Sequence, residues 1–321
     1  MAVTLALAGD TMLGRGVADR LAADPALPLL AREVREFAAA ADLFVLNLEC
    51  CVSARGERFP DPGKPFFFRA PPLAAERLAG LGVDCVTLAN NHALDYGPEA
   101  LLDTLAHLRA AGIAVVGAGP DVAAARTPVV LLARGGARVR VVGASDHPAA
   151  FAAAEDRPGI AYADLRGGGV PGWLRAAAAP GDDSELVLVS PHWGPNMRAE
   201  PVAHVRAAAR ALVDAGATLV AGHSAHVFQG VGGRVLYDLG DFVDDYAVDR
   251  RLRNDLGLLW RVTLDGGGPR CLEALPLALD YAHTCAARGA DAGWVLARLR
   301  ELCAAFGTEV EVEDGRAAIA W

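Results

Sequence analysis

Apolar residues in this chain come in short unbroken runs, and each run is closed by a polar or charged side chain. Ala2 to Ala8 (AVTLALA) leads into Gly9-Asp10, Asp42 to Leu48 (DLFVLNL) into Glu49, and Cys85 to Leu88 (CVTL) into Ala89-Asn90-Asn91-His92. Further on, Leu186 to Val189 leads to Pro191-His192-Trp193-Gly194, Thr218 to Ala221 to Gly222-His223-Ser224-Ala225-His226, and Val235 to Asp238 to Leu239-Gly240-Asp241-Phe242. Short runs that lack strict alternation read as strands covered on both faces. Helical spacing fills the gaps: from near Val17, over Ala31 to Ala41, Pro72 to Gly80, Pro98 to Ala111 with proline at its start, Ala203 to Ala215, and Trp294 to Ala305. Ile113 to Val116 adds a strand, Val129 to Leu132 and Arg138 to Gly143 a hairpin, Leu256 to Leu264 antiparallel strands, and Thr308 to Trp321 a closing hairpin.

Strands alternating with helices predict an α/β fold, and the hairpins predict mixed rather than purely parallel sheets. The stretch Ser53 to Pro72 holds five prolines and the run Phe66-Phe67-Phe68. It reads as a long loop, the kind that carries function beside strand ends. Gly167 to Pro171 and Ala176 to Asp183 read as loops rather than linkers. The expectation is therefore one domain over 1–321, with a motif-bearing core at 2–265 and a C-terminal helix and hairpin at 266–321.

Composition narrows the partners. The chain has 321 residues, 53% of them hydrophobic and 21% charged, with a net charge of −9. That balance suits a folded globular protein and disfavours nucleic acid, whose phosphates call for basic patches. Met1 to Ala8 has no basic flank and its apolar run ends at Asp10, too short for a signal peptide or a membrane span. The sequence thus predicts a cytoplasmic protein with no membrane partner. The six cysteines follow no disulfide framework and no CxxC zinc spacing.

The residues closing the apolar runs carry the chemistry. In an α/β sheet the C-terminal strand ends form one edge, where ligands bind. Asp10, Glu49, Asn91, His192, His223 and His226 all fall there. Two carboxylates, an amide oxygen and three imidazoles suit a pair of divalent ions with mixed N/O ligation. Asn90 competes with Asn91 for the amide role. Asp95 and Asp241 read equally as partners orienting imidazoles or as caps. Arg15 is a candidate anion binder against a solvated charge at a helix start. Lys64, Arg69, Trp193 and the phenylalanine run are candidate substrate contacts, with core packing the competing reading for Phe67.

In order, GD, NLE, ANNH, HWG, GHxxH and LGDF resemble the motifs of CapA-type proteins, the family named for a poly-γ-glutamate capsule synthesis component. That family is similar to calcineurin-like metallophosphoesterases, and the resemblance runs from about Ala2 to Asp265. It implies a sandwich of two mixed β-sheets flanked by helices. It also implies that Asp10 and His226 hold one metal, that Asn91, His192 and His223 hold a second, and that Glu49 bridges. His92 matches the histidine acting as general acid or oxyanion donor, with Asp95 beside it. Two departures stand out. Met12 replaces a metal-ligating histidine of the phosphoesterases, weakening the first subsite, and Glu49 replaces the bridging aspartate.

A two-metal site can activate water for phosphoryl or acyl transfer, or stabilise an enolate and so acidify an α-proton. The specific expectation is a metal-dependent enzyme acting on a peptide-like, carboxylate-bearing substrate, resembling the epimerases that invert a residue of a lasso-type precursor peptide. One or two ions of Mn, Zn or Fe would serve as cofactor. A precursor peptide and the protein that binds its leader would be partners. The alternatives are phosphoester hydrolysis, a role in poly-γ-glutamate synthesis, or a metal-stabilised peptide-binding module without catalysis.

Overall fold

The computed structural model describes residues 2–167, 169–182 and 184–321; Met1, Gly168 and Asp183 lie outside it. Two large mixed sheets stack face to face. In chain order their strands are β1 (Val3–Thr11), β2 (Leu43–Leu48), β3 (Cys85–Thr87), β4 (Ala114–Val116), β5 (Val129–Leu132), β6 (Arg138–Ser145), β7 (Leu186–His192), β8 (Leu219–Ala221), β9 (Val231–Gly232), β10 (Val235–Leu236), β11 (Asp241–Val243), β12 (Leu256–Asp265), β13 (Gly268–Asp280), β14 (His283–Ala286), β15 (Glu311–Glu313) and β16 (Arg316–Ala320). The first sheet runs β15-β16-β13-β12-β1-β2-β3-β4, with β11 added alongside β1 and β14 alongside β13. The second runs β9-β10-β8-β7-β6-β5. The run β1-β2-β3-β4 is parallel, as is β6-β7-β8-β10, so each sheet presents an edge of C-terminal strand ends.

The unbroken apolar runs follow from burial on both faces. Alternate residues of β1 go opposite ways: Val3, Leu5 and Leu7 enter the core between the sheets, while Ala6 and Ala8 enter the core beneath the helices. In β7, Leu186 and Leu188 face the other sheet, whereas Val187 and Val189 pack on Val205, Ala208 and Leu212 of the helix Ala203–Asp214. The result is a helix–sheet–sheet–helix sandwich, each layer hiding the apolar face of the next.

The C-terminal segment packs into this sandwich. β13 pairs with β12 on one side and β16 on the other. The last helix, Gly289–Ala304, inserts Val295, Leu299, Leu302 and Cys303 into the core between the sheets. It begins before the expected Trp294, a start obscured in the sequence by Gly289 and Gly293. Two further differences have similar causes. Ala176 to Asp183, expected as loop, gives its first residues to the helix Gly172–Ala178, which buries only Leu174 and Ala178. β11 starts inside LGDF, at its Asp241, and with only three residues is too short to register as a strand.

Candidate metal centre

The two C-terminal edges meet, and the polar residues closing the apolar runs converge at the junction. Asp10 is the penultimate residue of β1 and Glu49 follows β2; His192 ends β7, and His223 follows β8 by two residues. Glycine makes the approach possible. A Cβ at Gly9 would lie 1.9 Å from the Gly240 carbonyl oxygen, and one at Gly222 would lie 2.3 Å from Trp193 Nε1. The loop after β8 is held in costly backbone conformations, with φ of +124° at Ser224 and +58° at His226. Non-glycine residues persist there only when their surroundings over-determine them.

Two groups of potential ligands result, Asp10–His192–His223 and Asp10–His226–Asp241, each with its donor atoms within 4.8 Å of one another. Asp10 is common to both. His192 Nδ1 lies 2.8 Å from His223 Nδ1, and His226 Nδ1 lies 2.8 Å from Asp241 Oδ1 and 3.2 Å from Asp10 Oδ2. Glu49 is close to both His226 and His92, its Oε2 3.8 Å from His226 Nδ1 and its Oε1 3.9 Å from His92 Nε2.

Unsatisfied atoms test whether these residues fit a cation. Asp10 Oδ2, Glu49 Oε1, Asn91 Oδ1, His192 Nε2, His223 Nε2 and Asp241 Oδ2 are all buried without a hydrogen-bond partner. Such atoms cost about 1–3 kcal/mol each when left bare, and here they gather at one junction. An N/O donor set of this kind fits divalent ions. Electrostatics points the same way. Burial pushes the Glu49 and Asp241 carboxyls well above their ordinary range, with the Asp10 charge adding to it for Glu49. Burial also depresses His192 well below its ordinary value and His223 to about 4, so both imidazoles are neutral and able to ligate. His226 is different: burial opposes its proton, but the charges of Asp241 and Glu49 outweigh burial and raise it. A bound cation would take over the role of that proton.

The two asparagines differ in their bonds. Asn90 donates from Nδ2 to Asn47 Oδ1 and the Leu48 carbonyl, both at 2.9 Å, and its Oδ1 accepts the His92 N–H at 3.0 Å. Asn91 keeps its side-chain oxygen unpartnered. Asn47 in turn donates to Asp10 Oδ1 at 2.7 Å, so a relay of amides inside the sheet fixes the aspartate. Met12 has its sulfur turned to its own loop, accepting the Gly14 N–H at 3.1 Å. Asp241 stands in register beside Asp10 across β1 and β11 and brings a further carboxylate to the Asp10–His226 side. The sequence offers Asp241 only as a partner or cap, because its short strand carries no signal.

Beside the centre, His92 Nδ1 lies 2.6 Å from Asp95 Oδ2. Its ring stacks on Phe68 with centroids 4.0 Å apart. Burial pushes His92 down to about 4, against the pull of Asp95. Asp95 also accepts the Phe68 N–H at 2.6 Å and pairs with Lys64 at 3.0 Å, and Lys64 Nζ donates to the Asn91 carbonyl at 2.7 Å. Lys64 therefore ties the proline-rich loop to the centre. Arg69 donates to the carbonyls of Arg55 and Gly56 and lies over the Tyr96 ring. Trp193 is buried in the outer core and donates from Nε1 to the Tyr237 carbonyl at 2.9 Å.

A cavity of about 520 Å³ opens over His92 and His226, walled by Arg15, Phe66, Phe68 and Tyr246. Arg15 is paired with Asp245 and sits over the rings of Phe66, Phe68 and Tyr246. Tyr246 and Asp245 carry no motif that marks them in the sequence. They follow β11, and only their position in the fold brings them to the site.

The family described as "Bacterial capsule synthesis protein PGA_cap" matches residues 4–246, the span that supplies every residue of the centre. The chain belongs to the PGA_cap family. It is 33% identical to a probable polyglutamine synthesis accessory protein of Mycobacterium tuberculosis, over 96% of this chain and 93% of that one. It is 26% identical to the PGA biosynthesis protein CapA of Bacillus subtilis, over 96% of this chain and 80% of that one. It is 28% identical to the capsule biosynthesis protein CapA of Bacillus anthracis, over 87% and 68% respectively. A solved structure from Thermus thermophilus overlaps 83% of this chain and 96% of that one, at 12% identity with a TM-score of 0.39, too low to carry an argument. In this PGA_cap chain, no helix among the described residues is long and apolar enough to cross a membrane.

Proposed function

We propose that this PGA_cap protein is a divalent-metal-dependent enzyme acting on a peptide-like, carboxylate-bearing substrate, and specifically a peptide epimerase. The observation that carries the reading is the His92–Asp95 pair set beside a cluster of unpartnered ligand atoms, under a cavity of substrate size. Asp10, Glu49, Asn91, His192, His223 and His226 would hold the metal, with Asp241 completing the Asp10–His226 side. A bound divalent cation supplies Lewis acidity to a substrate carbonyl or carboxylate, which makes the neighbouring Cα–H acidic.

The chain's own residues do the rest. Asp95 accepts from His92 Nδ1, which leaves the lone pair on Nε2, and depression to about 4 keeps that atom unprotonated at neutral pH. Nε2 is then the base for the Cα proton. Water supplies the proton returned to the opposite face while the proton taken by His92 Nε2 passes to solvent, so the centre inverts with no oxidant, reductant or second substrate consumed. Lys64 positions Asp95 through its ion pair. Phe68 fixes the plane of the His92 ring by stacking on it. Arg15 gives the cavity a guanidinium, held in place by Asp245 and the surrounding rings, against which a substrate carboxylate can lie. Names among the relatives refer to polyglutamine and PGA synthesis, which supports an amide-linked, peptide-like substrate.

Incubation of the metal-loaded protein with candidate acidic peptides in D₂O tests this. Deuterium uptake at Cα without chain cleavage supports epimerisation. Turnover of phosphodiesters in the presence of Mn²⁺ with no such uptake would instead place the protein among the hydrolases. Peptide retention with neither activity would leave a metal-stabilised binding module.

A further inference from the structure

The carboxyl of Asp238 lies behind the metal centre and is not one of its ligands. It is 1% exposed, and no ion pair among the described residues includes it. A carboxylate kept in the core without a cation is costly, so the bonds it does make show what it is for. Oδ2 accepts the Ala225 N–H at 2.8 Å, and Oδ1 accepts the Gly240 N–H at 2.9 Å.

Both bonds lead to the Asp10–His226 side of the centre. Ala225 stands between Ser224 and His226, the two residues held at φ of +124° and +58°. Its N–H is fixed by Asp238, and its carbonyl accepts the Met197 N–H at 2.9 Å. The peptide units on either side of Ala225 are therefore both pinned, which is what holds the strained loop in place. Gly240 directly precedes Asp241, and its carbonyl accepts the Asp10 N–H at 2.9 Å. Asp10, His226 and Asp241 thus each stand one residue or one backbone hydrogen bond away from a residue whose amide Asp238 holds. Their side chains then converge, with His226 Nδ1 3.2 Å from Asp10 Oδ2 and 2.8 Å from Asp241 Oδ1.

The His192–His223 side is tied by other means. The His223 N–H donates to the Pro191 carbonyl and the Trp193 N–H to the His223 carbonyl, both at 3.1 Å. Those bonds join the ends of β7 and β8 without Asp238.

We propose that Asp238 is a positioning residue that sets the spacing of Asp10, His226 and Asp241, and so governs the affinity of that side of the centre independently of the His192–His223 side. This rests on the metal centre of the proposed function and adds to it a separate control for each half. Met12 supplies no ligand on the Asp10–His226 side, and a frame built in advance of the ion lowers the ordering cost of binding there. Asparagine cannot replace the carboxylate. It has one acceptor oxygen for two amides, and its own NH₂ would face the second N–H donor.

Equilibrium dialysis of chelator-stripped protein against rising Mn²⁺ tests this, with His226→Gln and His223→Gln marking which binding step belongs to which side. Asp238→Asn should weaken the step that His226→Gln abolishes by about tenfold or more and leave the step that His223→Gln abolishes unchanged. Asp238→Ser removes the buried charge, keeps one acceptor oxygen and should give the same selective loss, so it serves where the asparagine variant does not fold. A residue that merely supports the fold would weaken both steps together. Equal weakening of both steps, wild-type binding in a folded Asp238→Asn, or loss of the circular dichroism spectrum in both variants would each overturn the assignment. So would a wild type that takes up one ion only, insensitive to His226→Gln. Wild type that binds no Mn²⁺ would instead be a failure of the metal centre itself.

Discussion

At the scale of single residues, the centre is built from side chains that would be destabilising anywhere else in the fold. Asp10, Glu49, His192 and His223 are fully buried, and each leaves a polar atom without a partner. A stable protein keeps such groups when a ligand completes them. His92 gives a test by pH. Burial holds it at about 4 in the folded chain against an ordinary 6.5. Between those values the unfolded chain binds more protons, so the stability that neutral His92 contributes is full above 6.5 and is lost as pH falls towards 4. The slope is at most about 1.4 kcal/mol per pH unit. Asp244, which burial raises to about 6, runs the other way, so the comparison must be between wild type and His92→Gln. Urea denaturation across this window should show the variant gaining on wild type as pH falls; a constant gap would contradict the assignment. The residue scale is also where the sequence is most legible. Ligand types at the ends of apolar runs can be read directly. The free oxygen of Asn91 against the fully bonded Asn90 cannot, because it depends on Asn47 in a neighbouring strand.

At the scale of elements, the centre depends on how closely two loops approach. Gly222 leaves β8 where any side chain would meet both Trp193 Nε1 and, at 2.4 Å, the Tyr237 carbonyl. Gly222→Ala should therefore displace the His223–His226 loop, cost about 1–3 kcal/mol in denaturant stability, and reduce metal affinity. An alanine variant with wild-type metal binding would show that the loop is not set by this contact. Strands β1, β2 and β7 are legible because burial on both faces writes itself as an unbroken apolar run. β11 is not, and with it Asp241, because three residues carry no period. Asp245 and Tyr246 escape for the same reason. Trp193, whose neighbours in the motif suggest a pocket wall, spends its indole N–H on the Tyr237 carbonyl inside the core.

At the scale of the whole molecule, the sandwich brings the chain's two halves to a shared edge. The first sheet supplies Asp10, Glu49, Asn91 and Asp241, and the second supplies His192 and His223, so the sheets cannot separate without dismantling the centre. The C-terminal strands extend the first sheet, and the last helix plugs the core between the sheets. We propose on this basis that the chain folds as one unit. Truncation after Asp265 would strip β12 of its partner β13 and expose Leu258, Trp260 and Val262, all now buried. The truncated chain should aggregate or unfold, and the full chain should melt in one transition that metal shifts upward. A soluble, metal-binding fragment 2–265 would mean that the motif-bearing core is independent. The α/β class and mixed sheets follow from the order of runs and hairpins.

The enzyme reading depends on the junction of the sheets holding metal, and elemental analysis of purified protein tests that most directly. Wild type should carry one or two divalent ions per chain. Glu49→Ala and His223→Ala should lose most of that metal while keeping the wild-type circular dichroism spectrum. Metal content unchanged in both variants would contradict the account.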